Sequence, residues 1–251
     1  MYIACSSLCF SKKPFNQALR SINDLHFQKV DLAIHESGPH LKPSEVHADM
    51  NKVAARLRAS NMSFAAFHVD IEEMDPTKYG EIFRSVCRLA RMLAVPVVNI
   101  QTAPLGADIE SEAKRLRVLV RYAEAEGVIL TIETAADRLT ADPKVAMELC
   151  TKVPGLGLTL DPSPYHSGPF RTDNFDELYA YVRHVRLRDT SKDKYQVMIG
   201  QGEVEYGRII NQLTRSRYDR ALSVDVRDTV DGDFPTEPEV RKLKYLLESM
   251  V

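Results

Sequence analysis

The sequence has almost no surplus charge of either sign. Lys and Arg total 33 against 35 Asp and Glu, a formal net charge of −2, and the signs are mixed without long blocks. Such a chain offers no electrostatic footprint for nucleic acid or an anionic membrane. Long apolar runs are missing too. No stretch of about 18 apolar residues exists, which excludes a transmembrane helix. The N-terminal "MYIACSSLCF" lacks a basic segment followed by a long apolar core, so no secretory signal is expected. Cysteine is sparse, with four in 251 residues. Cys5 and Cys9 have no Cys or His partner at zinc-site spacing, and Cys87 and Cys150 sit singly in helical patterns. Free buried thiols follow, and with them a reducing, cytoplasmic location. Glycine is absent from "CSSLCFSKKP", the turn after the first apolar run, where a dinucleotide-binding sheet would carry a Gly-rich phosphate loop. No Pro/Gly/Ser-rich linker divides the chain, so residues 1–251 read as one domain.

What is present is a repeat of strand and helix. Short apolar runs recur at "YIAC" (2–5), "VDLAIH" (30–35), "FAAFHVD" (64–70), "VPVVNIQ" (95–101), "VILTIET" (128–134), "LGLTLD" (156–161), "HVRLRD" (184–189) and "ALSVDV" (221–226). Amphipathic helical patterns lie between them. "KPSEVHADMNKVAARLRAS" places Val46, Met50, Val53, Ala54 and Leu57 on one face. The pattern containing Leu116, Leu119 and Val120 stops at Gly127. Strand–helix repeated eight times predicts an α/β fold, a (β/α)8 TIM barrel, in preference to an open doubly wound sheet.

In a barrel the helix-facing layer is apolar, so the alternate residues point to the axis. That rule turns Thr131 and Glu133 inward on strand five, Thr159 and Asp161 on strand six, and Ser223 and Asp225 on strand eight. It turns Asp31 and His35 inward on strand two. Phe64, Ala66 and His68 form the inward set on strand three, and Asn99 and Gln101 on strand four. "VRHVRLRDTS" is the unusual stretch: with Val185 and Leu187 outward, His184, Arg186 and Arg188 all face the axis. Polar groups therefore gather at the carboxyl ends of the strands, the face where barrel enzymes place their sites. The alternative is a buried ion-pair network that fills the barrel and does nothing else.

Nearly the whole chain, and most strongly its second half in "LTIET", "LTLDPSPYHSGP", "HVRLRDT", "GQGEVEYGRIINQL" and "ALSVDV", resembles the xylose-isomerase-like barrel family of sugar isomerases, 3-epimerases, dehydratases and endonuclease IV. The resemblance implies one divalent metal, Mn2+ or Mg2+, held by Glu, Asp, His and Glu from strands five to eight. Glu133 and Asp161 match the first two. The strand-seven histidine is replaced by Arg186, and the strand-eight Glu by Asp225. His166 stands two residues past Pro164, where many relatives have a His. Arginine stays protonated and has no lone pair to give a metal. Two readings stay open: Glu133, Asp161 and Asp225 hold a metal with water, or Arg186 replaces the metal.

The resemblance implies proton transfer at a carbon next to a carbonyl. Glu133 and Asp225 are the expected catalytic acid–base pair and Arg186 the stabiliser of the developing oxyanion. His35, His68, His166 and Arg188 are expected to bind a small sugar or polyol, free or phosphorylated. Asp189 and Lys192 in the following loop are expected to be solvated. The expected activity is a sugar or sugar-phosphate isomerase or epimerase. Its alternatives are a lyase or dehydratase, or a barrel that binds a polyol or partner without turnover. A repair nuclease is disfavoured by the low histidine count and the net charge. Self-association is expected from the family's habit of forming oligomers.

Overall fold

A computed structural model describes residues 1–172, 174–228 and 234–251. Eight parallel strands close into a barrel in sequence order. They are β1 (Tyr2–Ser6), β2 (Lys29–His35), β3 (Ser63–Asp70), β4 (Val97–Ile100), β5 (Ile129–Glu133), β6 (Gly157–Leu160), β7 (Val182–Leu187) and β8 (Ala221–Val224). β8 pairs with β1, Tyr2 opposite Ala221 and Cys5 opposite Val224, and this seam leaves no free edge. The predicted (β/α)8 fold is the observed one. No helix among the described residues is long and apolar enough to cross a membrane, and all four cysteines are buried and free.

The helices form the outer layer: α1 (Phe15–Asp24), α2 (Pro43–Ala48), α3 (Met50–Arg58), α4 (Pro76–Met92), α5 (Ile109–Ala125), α6 (Pro143–Lys152), α7 (Ser163–Ser167), α8 (Tyr206–Arg215) and α9 (Thr236–Glu248). Their starts are written in the sequence. Asp75, Asp108 and Asp142 each accept backbone N–H bonds from the first turns of α4, α5 and α6, with Pro at the opening of α4 and α6. Gly127 follows α5 with φ +69°, a left-handed stop that glycine takes without strain. The inner faces, including Leu57, Phe83, Leu89, Leu116 and Leu213, pack on the outward strand residues in one continuous core.

Two details depart from strict periodicity. The pattern from Lys42 to Ser60 predicts one helix, yet the chain breaks at Asp49, which has φ −151° and ψ 79°. Asp49 accepts the Lys52 N–H and caps α3 anew. An aspartate competes for backbone N–H groups, and here it does so in mid-pattern. Strand three also loses its simple alternation. Val30 pairs with Phe64 but Asp31 pairs with Ala66, so Ala65 is bulged. The bulge sends Ala65 to the barrel interior beside Ala4 and Ala221, and Phe64 to the outer core, correcting the inward placement of Phe64. A second bulge at Arg183 lies between the Leu158–Val182 and Thr159–His184 pairs. It lets Val182, Val185 and Leu187 all join the outer core while His184 and Arg186 face in.

Candidate functional site

Arg186 sits at the centre of the barrel mouth and is wholly buried, at 0% exposure. Its Nη1 donates to Glu133 Oε1 at 2.9 Å and to His68 Nδ1 at 2.9 Å. Its Nη2 donates to Asp225 Oδ1 and to Ser6 Oγ, both at 2.9 Å. Its Nε lies 3.2 Å from Asp31 Oδ2, an ionic contact without hydrogen-bond alignment. Arg188, two residues on, donates from Nη2 to Asp161 Oδ2 at 2.8 Å and to Asp225 Oδ2. The Tyr195 ring, 5.1 Å away, covers Arg188 from the solvent side. Period two along β7 is what delivers both guanidiniums to the axis.

The histidines complete the ring. His68 Nε2 stands 2.8 Å from Glu133 Oε2, again a close polar contact with poor hydrogen-bond alignment. His35 Nε2 is 3.1 Å from His68 Nδ1, and the two rings meet edge to face. His184 pairs with Asp31 at 3.0 Å, one layer below. Beside it, Thr159, opposite His184 in register, bonds Thr131, which also reaches Asn99.

The electrostatics follow from the packing. Burial pushes the Glu133 carboxyl up, but His68, Arg186 and Arg227 overcome it and hold the group well below the usual range. Burial opposes ionisation of Asp225 as well, and Arg186, Arg188 and Arg227 reverse that balance. Asp31 is lowered against burial by Arg186 and His184. Arg186, despite its burial, is held firmly charged by Asp225, Asp31 and Glu133. His35 is lowered to about 2, first by burial and then by His68, Arg186 and Arg227.

Of the residues singled out by sequence, Glu133, Asp161, Arg186, Arg188, Asp225, His35 and His68 are thus brought to one place. His166 is not. It lies on α7 and lines a separate cleft with Glu203, Glu205 and Arg208. Asp189 is not solvated: it is buried and accepts backbone N–H bonds from Thr190, Gly200 and Gly202 at 2.7–3.0 Å, which ties down the loop before α8. Lys192 is exposed, as expected. Sequence reasoning missed Ser6, Arg227 and Tyr195. Ser6 was legible by parity with Tyr2 and Ala4. Arg227 was legible too, two residues past Asp225, and its Nε reaches Asp225 Oδ2 at 3.2 Å. Tyr195 comes from a loop and left no periodic signal.

The geometry bears on the implied metal. Glu133 and Asp225 each accept from Arg186, and Asp161 and Asp225 each accept from Arg188. Their lone pairs already serve two fixed cations, and the nearest positive charge would repel a divalent ion. Among the described residues no group of three or more His, Cys, Asp or Glu side chains is arranged to hold a metal. This donor set does not fit the family's divalent ion.

The sequence pattern of the xylose isomerase-like TIM barrel family matches residues 19–248. The chain belongs to that family. Among curated proteins, no sequence matches the chain closely enough to count as a relative. Among solved structures, a D-allulose 3-epimerase from Methylomonas sp. superposes with TM-score 0.77 at 12% identity, over 100% of this chain and 98% of that one. A xylose isomerase-like TIM barrel protein from Mycobacterium smegmatis, solved in complex with magnesium, gives 0.77 at 15% identity, over 99% and 97%. A probable 3-DHS dehydratase from Bacillus anthracis gives 0.72 at 14%, over 99% of each chain. At these identities the likeness is one of fold.

Proposed function

We propose that this family member acts on a small sugar or sugar phosphate, as an isomerase or epimerase that moves a proton at a carbon next to a carbonyl. Arg186 supplies the positive charge for the oxyanion. The observation that carries the reading is the position of that guanidinium, which donates at once to Glu133 and Asp225 in the barrel mouth. A fixed donor in a low-dielectric site stabilises a developing alkoxide without reorganisation.

The two carboxylates flank Arg186 and can take and return the proton. Held far below their usual range, they are weak bases while Arg186 is bound to them. A substrate oxygen that takes one of the guanidinium N–H groups frees a carboxylate, whose basicity then rises towards the value its burial favours. Substrate binding therefore switches on the base. A second reading, a binding barrel without turnover, is favoured by one observation: Asp225 and Arg186 are both fully buried.

Solvent exchange separates the two. In D2O, ketoses and their phosphates incubated with the protein should exchange the proton next to the carbonyl, read by proton NMR. The Glu133→Gln variant should lose that exchange by about 10²-fold or more. A bound sugar that never exchanges supports the binding barrel instead. Calorimetric titration with Mn2+ should show no binding at millimolar concentration, and near-stoichiometric metal in the purified protein would sink the arginine-for-metal reading.

A further inference from the structure

Arg186 does more than balance charge, because a guanidinium can only donate hydrogen bonds. His68 Nδ1, 2.9 Å from Arg186 Nη1, must therefore be the unprotonated nitrogen of its ring. The proton of His68 then sits on Nε2, facing Glu133 Oε2 at 2.8 Å, where a carboxylate wants it. His35 Nε2 approaches the same His68 Nδ1 at 3.1 Å. A bare His35 Nε2 would press its lone pair against that nitrogen, so His35 Nε2 carries the proton and shares the single His68 Nδ1 lone pair with Arg186 Nη1. His35 Nδ1 is left with its own lone pair. Among the described residues Nδ1 makes no hydrogen bond, and it is not sealed from solvent. His35 is the last residue of β2 and only partly buried, at the rim of the mouth.

The structure assigns His35 Nδ1 as a fixed hydrogen-bond acceptor at the barrel mouth, oriented by Arg186 through His68, that receives a hydroxyl of an uncharged sugar. This rests on the proposed sugar chemistry for its ligand class, but the assignment of the proton does not. Protonation of His35 at Nδ1 would place a second cation near Arg186 and turn the one free acceptor of the pair into a donor. The low affinity of His35 for a proton is consistent with this.

Charge counting supports the uncharged ligand. Within the described network four carboxylates (Asp31, Glu133, Asp161 and Asp225) meet three guanidiniums (Arg186, Arg188 and Arg227). The guanidiniums do not outnumber the carboxylates, so no guanidinium charge is left over to neutralise a phosphate dianion. Arg227, at the rim and about one-third exposed, has N–H groups beyond the one spent on Asp225. An acceptor on His35 and a donor on Arg227 suit hydroxyls, which both give and accept.

The test is long-range 1H–15N NMR on histidine-labelled protein at pH 7, with the His35 signals assigned by their loss in His35→Phe. A pyridine-type Nδ1 and a pyrrole-type Nε2 on His35 are expected. A protonated Nδ1 overturns the proposal. D-fructose and D-fructose 6-phosphate, and D-ribulose and its 5-phosphate, are then titrated separately. An uncharged ketose should move the His35 Nδ1 resonance and bind at least about tenfold more tightly than its phosphate. His35→Phe keeps a ring against His68 and should weaken that binding about tenfold, the worth of one hydrogen bond. Equal or tighter binding of the phosphates, or no response at Nδ1 to any ketose, overturns the ligand class. Loss of the proton-exchange activity alone would sink the proposed chemistry and leave this assignment standing.

Discussion

At the residue scale, Arg186 is the one side chain whose removal changes everything near it. Asp31, Glu133 and Asp225 would be left facing one another without their shared cation. Breaking a buried ion pair by deleting one partner costs about 3–5 kcal/mol. Arg186→Met should therefore lower stability by at least that amount in urea denaturation, and an unchanged midpoint would contradict the network. Arg186→Lys should recover part of the loss, because an ammonium keeps the charge but cannot span Glu133, Asp225, Ser6 and His68 together. Methionine keeps an unbranched apolar stem but lacks the guanidinium volume, so the Lys variant, which keeps a charge, is the control that separates charge from packing.

At the scale of elements, the loop between β7 and α8 shows how a buried carboxylate replaces secondary structure. Asp189 gathers N–H groups from Thr190, Gly200 and Gly202, and a Cβ on Gly202 would stand 2.1 Å from its Oδ1. Gly202→Ala should release the loop at a cost of about 1–3 kcal/mol, the desolvation penalty of the stranded groups. Hydrogen exchange should quicken over residues 197–204 and stay unchanged in β1–β4; uniform quickening would point to global unfolding instead. The same loop marks the limit of what the sequence discloses. All eight strands were legible, because an apolar outer face imposes period two. So were the inward Glu133, Asp161, Arg186 and Asp225, which are read by the same parity. The break at Asp49 and the bulges at Ala65 and Arg183 were not, since each spends a single residue out of period. His166 was misplaced because a residue on a short helix beyond a strand obeys neither parity nor register. Tyr195 and the Asp189 clamp depend on how a loop folds back, which no local spacing encodes.

At the scale of the whole molecule, the buried ionisable groups tie stability to pH. His35 binds a proton with a pKa of about 2 in the fold, against about 6.5 in an unfolded chain. The groups that face it are His68, Arg186, Arg227 and Glu133. Below about pH 6.5 the unfolded chain takes up a proton that the fold refuses. The stability from this group is therefore complete above pH 6.5 and falls by about 1.4 kcal/mol per pH unit on acidification. His40, lowered chiefly by burial, adds to the same slope. The depressed carboxyls Asp31, Glu133 and Asp225 add a second loss that begins near the unfolded carboxylate range, about pH 4, and deepens as pH falls further. Denaturation midpoints measured between pH 7.5 and 5 should decline, and His35→Phe should flatten that decline by about one proton; an identical slope in the variant would refute the assignment. Arg186 has a further consequence for how such a chain comes together. Ser6, Asp31 and His68 belong to the first half of the barrel, Glu133 and Asp225 to the second, and one guanidinium joins them all. A half-barrel could not satisfy it, so the full set of its bonds exists only once the ring is closed. Gene duplication of half-barrels, or splitting the chain between β4 and β5, would yield pieces that wait for each other, and neither fragment should show a melting transition of its own.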